Sequence, residues 1–277
     1  MLKHLIAGAL IAFAPLAAVG PAAAQDRRPS HCIAVAQAPG VEYVHRAAYR
    51  EALPDEFTVR LNYVDHSMWM IETAGGLRAV TDFNGFAGAI DPPDVVTMNR
   101  GHISHWTPDP GDEVANVLRG WSDRAGEPVD HYLDLGEMLV RSVSTDLRPG
   151  RGGEPNGNSI FVFEAGGLCI GHLGHLHHEP TEEQYAALGR LDVVMAPVDG
   201  GLTLPHETLV RTLERLRSSI ILPMHWFGEG TLQGFLDRMS EDFAVERRGE
   251  SFLEVSLRTL PSRPTIIVLR PQFLSDG

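Results

Sequence analysis

The feature that most constrains this chain is a series of short runs, apolar or alternating, each bounded by Gly, Pro, Asp or Asn. They are FTVRLNYV (57–64), MWMIET (68–73), DVVT (94–97), MLVRSVS (138–144), SIFVF (159–163), GLCIG (167–171), DVVMAPV (192–198), SIILPMH (219–225) and TIIVL (265–269). Runs of this kind between turn formers are strands. The early ones follow one another closely, and the Gly-Gly of ETAGGLRAV supplies a hairpin turn. Pro223 is expected to close its strand, because proline has no N–H to give a ladder.

Helical signals lie between the later runs. Thr181 and Gln184 make a capping box ahead of EEQYAALGRL, Leu209, Val210, Leu213 and Leu216 repeat at helical spacing, and a third short helix is expected over 232–239. Hairpins first and strand–helix alternation later predict sheets covered by helices, an α/β (α+β) chain rather than an all-β sandwich. The segment 106–137, with Pro108, Pro110, Gly111, Gly120, Gly126 and Pro128, is expected to be a long loop, and loops of that length are often functional.

Lys3, the apolar stretch Leu5 to Val19 and the small residues Ala22 to Ala24 have the order of a secretory signal peptide, expected over residues 1–24. Pro15, Gly20 and Pro21 interrupt that stretch, which argues against a membrane anchor, and nothing downstream resembles another membrane segment. A periplasmic or secreted location follows, with an N-terminal arm over 25–56 and one domain over 57–277. The chain holds 36 acidic against 23 basic residues, a formal charge of −13, which repels phosphate backbones and argues against general nucleic-acid binding. A small-molecule substrate is the expected partner, and the sequence leaves the oligomeric state open. Cys32 and Cys169 are the two cysteines; one disulfide or two unpaired thiols both remain open.

Thirteen histidines are present, and four of them fall in seven positions of GHLGHLHHEP: His172, His175, His177 and His178. His102 and His105 stand in VVTMNRGHISHW just beyond one apolar run, and His225 ends SIILPMH. Three separate strands thus release histidine at their C-terminal ends, where residues from distant segments converge. Zinc takes three or four imidazole, thiolate or carboxylate ligands. His177 and His178, at the start of the following loop, are expected to be surface residues with at most one pointing inward.

At these residues the chain resembles the metallo-β-lactamase superfamily, in particular its lactonase-like and phosphodiesterase-like hydrolases. NYVDHSMWMIE and AVTDF are similar to that branch's opening G-H-x-x-x-x-I and following Asp; CIGHLGHLHH to H-L-G-D-L; VMAPVDGG to P-V-G-G; and LPMHW to P-M-H. The resemblance covers roughly 57–228 and implies an αββα four-layer sandwich. Aligned on its histidines, H-x-H-x-D-H becomes RGHISH: Arg100 replaces the first His, His102 and His105 match, and Ser104 replaces the Asp, after a two-residue insertion. Asp146 in VSTDLR is the best substitute for a later family His, and His175 stands where the metal-bridging Asp belongs.

An imidazole at His175 cannot bridge two dications as a carboxylate does, so one ion rather than two is expected. The resemblance implies zinc, with iron or manganese also suited, held by His105, His175 and His225, with His102 or Asp146 as a fourth ligand. His66, Asp82 and His172 are expected behind the ligands, orienting them. Asp146 is the candidate general base and Arg100 the candidate anion-holding cation. Asp199 is read as a turn residue before Gly200 and Gly201, and Trp226 as a pocket wall or core residue. The expected function is metal-dependent hydrolysis of an ester, lactone or phosphodiester. Two alternatives stay open: a non-catalytic metal- or ligand-binding protein on the same fold, and an iron redox protein.

Overall fold

The computed structural model describes residues 27–33, 52–150 and 152–276. The expected signal peptide, and most of the expected arm, lie outside the described residues. The elements run β1 (Val59–Asp65), β2 (Met68–Glu72), β3 (Arg78–Val80), β4 (Gly88–Ala89), β5 (Val95–Met98), β6 (Asn116–Arg119), β7 (Tyr132–Asp134), β8 (Met138–Leu147), β9 (Glu154–Ala165) and β10 (Leu168–His172). They continue with α1 (Glu182–Leu188), β11 (Val193–Pro197), α2 (His206–Leu216), β12 (Ile220–Met224), α3 (Glu229–Met239), β13 (Ala244–Arg247), β14 (Phe252–Val255), β15 (Thr265–Val268) and β16 (Leu274–Ser275).

Two large sheets face each other. One has the order β14-β1-β2-β3-β5-β6 and the other β13-β15-β12-β11-β10-β9-β8-β7. Between them, Leu61, Trp69, Ile71 and Val95 pack against Val140, Phe161, Phe163, Ile170, Met195 and Leu222. Successive strand residues point to opposite faces, so in β2 Trp69 and Ile71 enter this interior while Met68 and Met70 enter a second cluster on the far face of the first sheet. Burial on both faces is why MWMIE reads as unbroken apolar sequence.

The three helices cover the outer face of the second sheet, where Leu188, Leu209, Leu213, Phe235 and Met239 meet Val162, Val194 and Ile221. On the outer face of the first sheet no helix is present among the described residues; Phe83, Ala87, Val114 and Leu274 cover it from loops and from the small β4–β16 pair. Among the described residues the helical layer of the sandwich lies on the second sheet. The capping box forms as expected, Thr181 Oγ1 accepting from Gln184 N and Gln184 Oε1 from Thr181 N.

Two expectations need correction. Pro223 does not close its strand: it lies within β12, opposite Ala196 of β11. Ile220 N bonds Asp192 O, so by alternation residue 223 turns its N toward β15, and β15 pairs only as far as Ile221. The missing N–H thus falls where that ladder has already ended. The segment 106–137 is not one structureless loop either, since it contributes β6 and β7, each an edge strand.

Cys32 and Cys169 are disulfide-bonded, their Cα atoms 5.9 Å apart. Arg190 N donates to Cys32 O, and Ser30 and His31 engage the buried Glu164, which Arg141 also holds at 2.8 Å. This piece of the N-terminal segment is thereby fixed to the outer face of the second sheet beside α1.

Candidate metal centre

Both sheets deliver histidine to one end of the sandwich. His66 occupies the turn between β1 and β2, Asp82 follows β3, His102 and His105 follow β5, His172 ends β10 with His175 and His177 just beyond, Asp199 follows β11, and His225 follows β12. His66, Asp82 and His225 all have positive φ (40°, 44° and 60°). Non-glycine residues adopt that region at a cost and hold it where the surroundings dictate it. Here a backbone bond between two of them does so: His225 N donates to His66 O at 2.8 Å, and Tyr63 Oη donates to the same carbonyl at 2.7 Å. The turn of one sheet is thereby pinned to a strand end of the other.

Ligand atoms of His66, His102, His105 and His225 lie within 4.8 Å of one another. His105 and His225 are fully buried, His66 is half-buried and His102 is exposed. His105 Nδ1 is 2.5 Å from Asp82 Oδ2 and 3.0 Å from Ser67 Oγ. His225 Nδ1 stands 2.9 Å from Asp199 Oδ2, at ion-pair distance though not aligned as a hydrogen bond. A carboxylate beside Nδ1 selects the tautomer with the proton there, leaving the lone pair on Nε2. Those two Nε2 atoms face each other at 3.1 Å.

Two lone pairs at that distance repel unless a cation lies between them. Two imidazoles on a tetrahedral ion with bonds of about 2.0–2.1 Å have nitrogens roughly 3.3 Å apart, close to what is seen. Two more ring nitrogens, His66 Nε2 and His175 Nε2, are buried with no hydrogen-bond partner. The residues therefore fit a transition metal.

The carboxylates sit behind the rings. Burial would raise the pKa of Asp82, but His105 and His172, with hydrogen bonds from His105 and Asn99, hold it well below the usual range. Asp199 is likewise held low against its burial by His225, Thr203 and backbone N–H groups. No carboxylate belongs to the group of ring nitrogens among the described residues.

The structure places the sequence candidates unevenly. His102, His105 and His225 come together, and His66, expected behind the ligands, stands among them with its ring centroid 4.0 Å from that of His225. The His175 ring lies 4.9 Å from His105 and 5.1 Å from His225, and its Nδ1 contacts His177 Nε2 at 2.8 Å. Gly101 makes room for it, since a Cβ there would meet the His175 ring at 2.5 Å.

His172 is used up elsewhere, its Nε2 on Ser67 O and its Nδ1 accepting from Gly174 N, 3.9 Å short of Asp82. His178 is also spent, on Glu179 O and Asp146 N. Asp146 is not brought to the centre: its carboxylate accepts from Asn156 N at the irregularity of β8. Arg100 pairs with Glu154 at 2.7 Å. Trp226 packs between the two main core clusters.

Asp199 was legible only as a turn residue. It is one, accepting from the N–H groups of Gly201, Leu202 and Thr203, but its second oxygen also backs His225.

Burial, reinforced by neighbouring imidazoles, pushes His66 down to about 3, His102 to about 4 and His175 to about 2. An unfolded imidazole titrates near about 6.5. Between those values the unfolded chain takes up protons that the folded centre refuses. The stability of the metal-free protein is thus complete above that pH and falls as pH drops below it. We expect the urea midpoint of chelator-treated protein to be lower at pH 5 than at pH 7.5. An unchanged midpoint contradicts the buried, neutral cluster.

Residues 60–225 match the family model described as a beta-lactamase superfamily domain. A UPF0173 metal-dependent hydrolase of Thermoplasma volcanium is 26% identical over 157 residues, which are 48% of this chain and 66% of that protein. The chain thus spans slightly under two thirds of that relative. Among solved structures, a Thermotoga maritima protein provisionally described as a Zn-dependent hydrolase of the metallo-β-lactamase superfamily superposes with a TM-score of 0.55 at 23% identity, over 77% of this chain and 100% of that one. A metal-dependent hydrolase, provisionally so described, from Parabacteroides distasonis gives 0.55 at 12% identity, over 77% and 93%. The matched segment contains every strand that supplies a histidine to the centre, and on fold and family model together the chain belongs to the metallo-β-lactamase superfamily.

Proposed function

We propose that this protein is an exported metal-dependent hydrolase that holds one transition-metal ion, zinc foremost, on His66, His102, His105 and His225, with His175 as a further imidazole facing the same space. The observation that carries the metal is the 3.1 Å approach of the Nε2 atoms of His105 and His225, each ring backed by a carboxylate. The single ion is supported by the absence of a carboxylate among the ring nitrogens of the described residues, because a pair of dications calls for a bridging anion. The disulfide supports export, since such bonds persist in oxidising compartments.

A metal held there supplies Lewis-acid polarisation of a carbonyl or phosphoryl oxygen and acidifies water at neutral pH. The chain's own residues do the rest. Asp82 and Asp199 fix the tautomers of His105 and His225. The shared His66 carbonyl locks the two sheets so that the rings do not drift. His177, half-buried, sets its Nε2 2.8 Å from His175 Nδ1 and so orients that ring, as the carboxylates orient theirs. The exposed His102 marks the side open to substrate.

Ester, lactone and phosphodiester substrates are the classes this chemistry serves. The zinc-loaded protein is tested with 4-nitrophenyl butyrate, γ-butyrolactone and bis(4-nitrophenyl) phosphate. We expect turnover of at least one, abolished by chelator and restored by zinc. A metal-loaded protein inert toward all three indicates instead a closed, non-catalytic site, the reading that the fifth imidazole favours.

A further inference from the structure

We propose that the substrate of this centre is amphiphilic, with an anionic group held by Arg148 and an apolar group received by Phe227 and Ile103. This rests on the hydrolase reading above and names its substrate class.

Arg148 follows the end of β8 and is exposed. Its position is fixed from two sides. Leu147, beside it, pairs with Glu154, the residue that holds Arg100 two positions before His102. Asp146, on its other flank, donates its backbone N–H to His178, next to His177. Arg148 therefore stands between the two loops that carry His102 and His177. Backbone φ at Arg148 is 53°, so the chain turns sharply there.

Arg100, by contrast, is occupied by Glu154 at 2.7 Å, whereas no carboxylate pairs with Arg148 among the described residues. In a chain with a formal charge of −13, a guanidinium without a carboxylate partner at the edge of the histidine cluster is a local invitation to an anion. Its planar fork binds carboxylate or phosphate with two parallel hydrogen bonds.

The apolar half is equally local. Phe227 is 64% exposed, and its ring packs 5.4 Å from that of His66 and 5.5 Å from that of His225. Ile103, between His102 and Ser104, is 81% exposed. Scattered exposed apolar residues need no explanation, but these belong to two of the loops that deliver the ring nitrogens. Neither is a member of a core cluster. A substrate's alkyl or aryl group laid on them is removed from water while its reacting bond reaches the imidazoles.

The test is calorimetric titration of the zinc-treated protein with 4-phenylbutanoate, its neutral isostere 4-phenylbutanamide, and acetate, with zinc content measured on the same samples. We expect 4-phenylbutanoate to bind about tenfold more tightly than the amide, the size of a charge-assisted contact, and more tightly than acetate. Arg148→Gln should bring acid and amide to equal affinity with zinc content unchanged. Phe227→Ser should weaken both phenyl ligands and leave acetate as it was. The proposal is overturned if Arg148→Gln keeps the preference for the acid, as it would were the carboxylate held by the metal alone, or if millimolar 4-phenylbutanoate does not bind. A protein without zinc that still prefers the acid through Arg148 keeps this assignment and loses the hydrolase reading.

Discussion

Replacing His105 or His225 with alanine is expected to empty the metal centre. Each change removes a fully buried ring whose Nε2 has no role except toward the facing nitrogen. It also strands the carboxylate behind it, Asp82 or Asp199. Metal affinity should fall by well over the roughly 10–100-fold that follows loss of an outer partner of a ligand. Asp82→Asn, which keeps the shape and removes the charge behind His105, should fall within that smaller range. His178→Ala should leave metal content unchanged, because both nitrogens of His178 are already bonded to the backbone. Equilibrium dialysis against a zinc buffer, with folding checked by circular dichroism, reads all four. If His178→Ala emptied the centre while His105→Ala did not, the metal would belong to a local chelating tract in GHLGHLHHEP and the convergence of the two sheets would be irrelevant to it.

Removal of the disulfide should have the largest effect on stability. Cys32 and Cys169 are separated by 137 residues. In the chain-entropy account, closing a loop of that size stabilises the fold by about 5 kcal/mol. Its loss in Cys32→Ala/Cys169→Ala should lower Tm by about 10 °C or more for a domain of this size. The bond joins the N-terminal segment to β10, the strand whose end leads to His172 and His175. Yet β10 is paired on both edges, by β9 and β11. Metal affinity at 25 °C should therefore change little. A double variant with unaltered Tm contradicts the structural role given to the bond.

The strands were legible because burial on one or both sheet faces leaves a period-two or continuous apolar signature, as in MWMIE and DVVMAP. The capping box at Thr181 was legible because it is purely local. Pro223 was misplaced because its tolerance depends on where the β15 ladder stops, a fact of tertiary pairing. The histidines after β5, β10 and β12 stood out through position at strand ends. His66 was legible only through its motif and only as a residue behind the ligands, since a turn residue after NYVD gives no sign that its carbonyl will bond His225 across the sandwich. Asp199 shows a second limit: the turn it makes is sufficient reason for an Asp, and so conceals its contact with His225. Arg100 drew attention by standing at a motif position, whereas Arg148 is placed by a strand pairing that no local pattern reveals.

The central claim is that one metal is held by imidazole nitrogens drawn from both sheets. Metal-edge X-ray absorption of the zinc-loaded protein addresses it most directly. The account predicts about one zinc per chain with a nitrogen shell near about 2.0–2.1 Å and the outer scattering of several imidazole rings. A shell dominated by carboxylate oxygen or sulfur, or a second metal at about 3.5–4 Å, would contradict it.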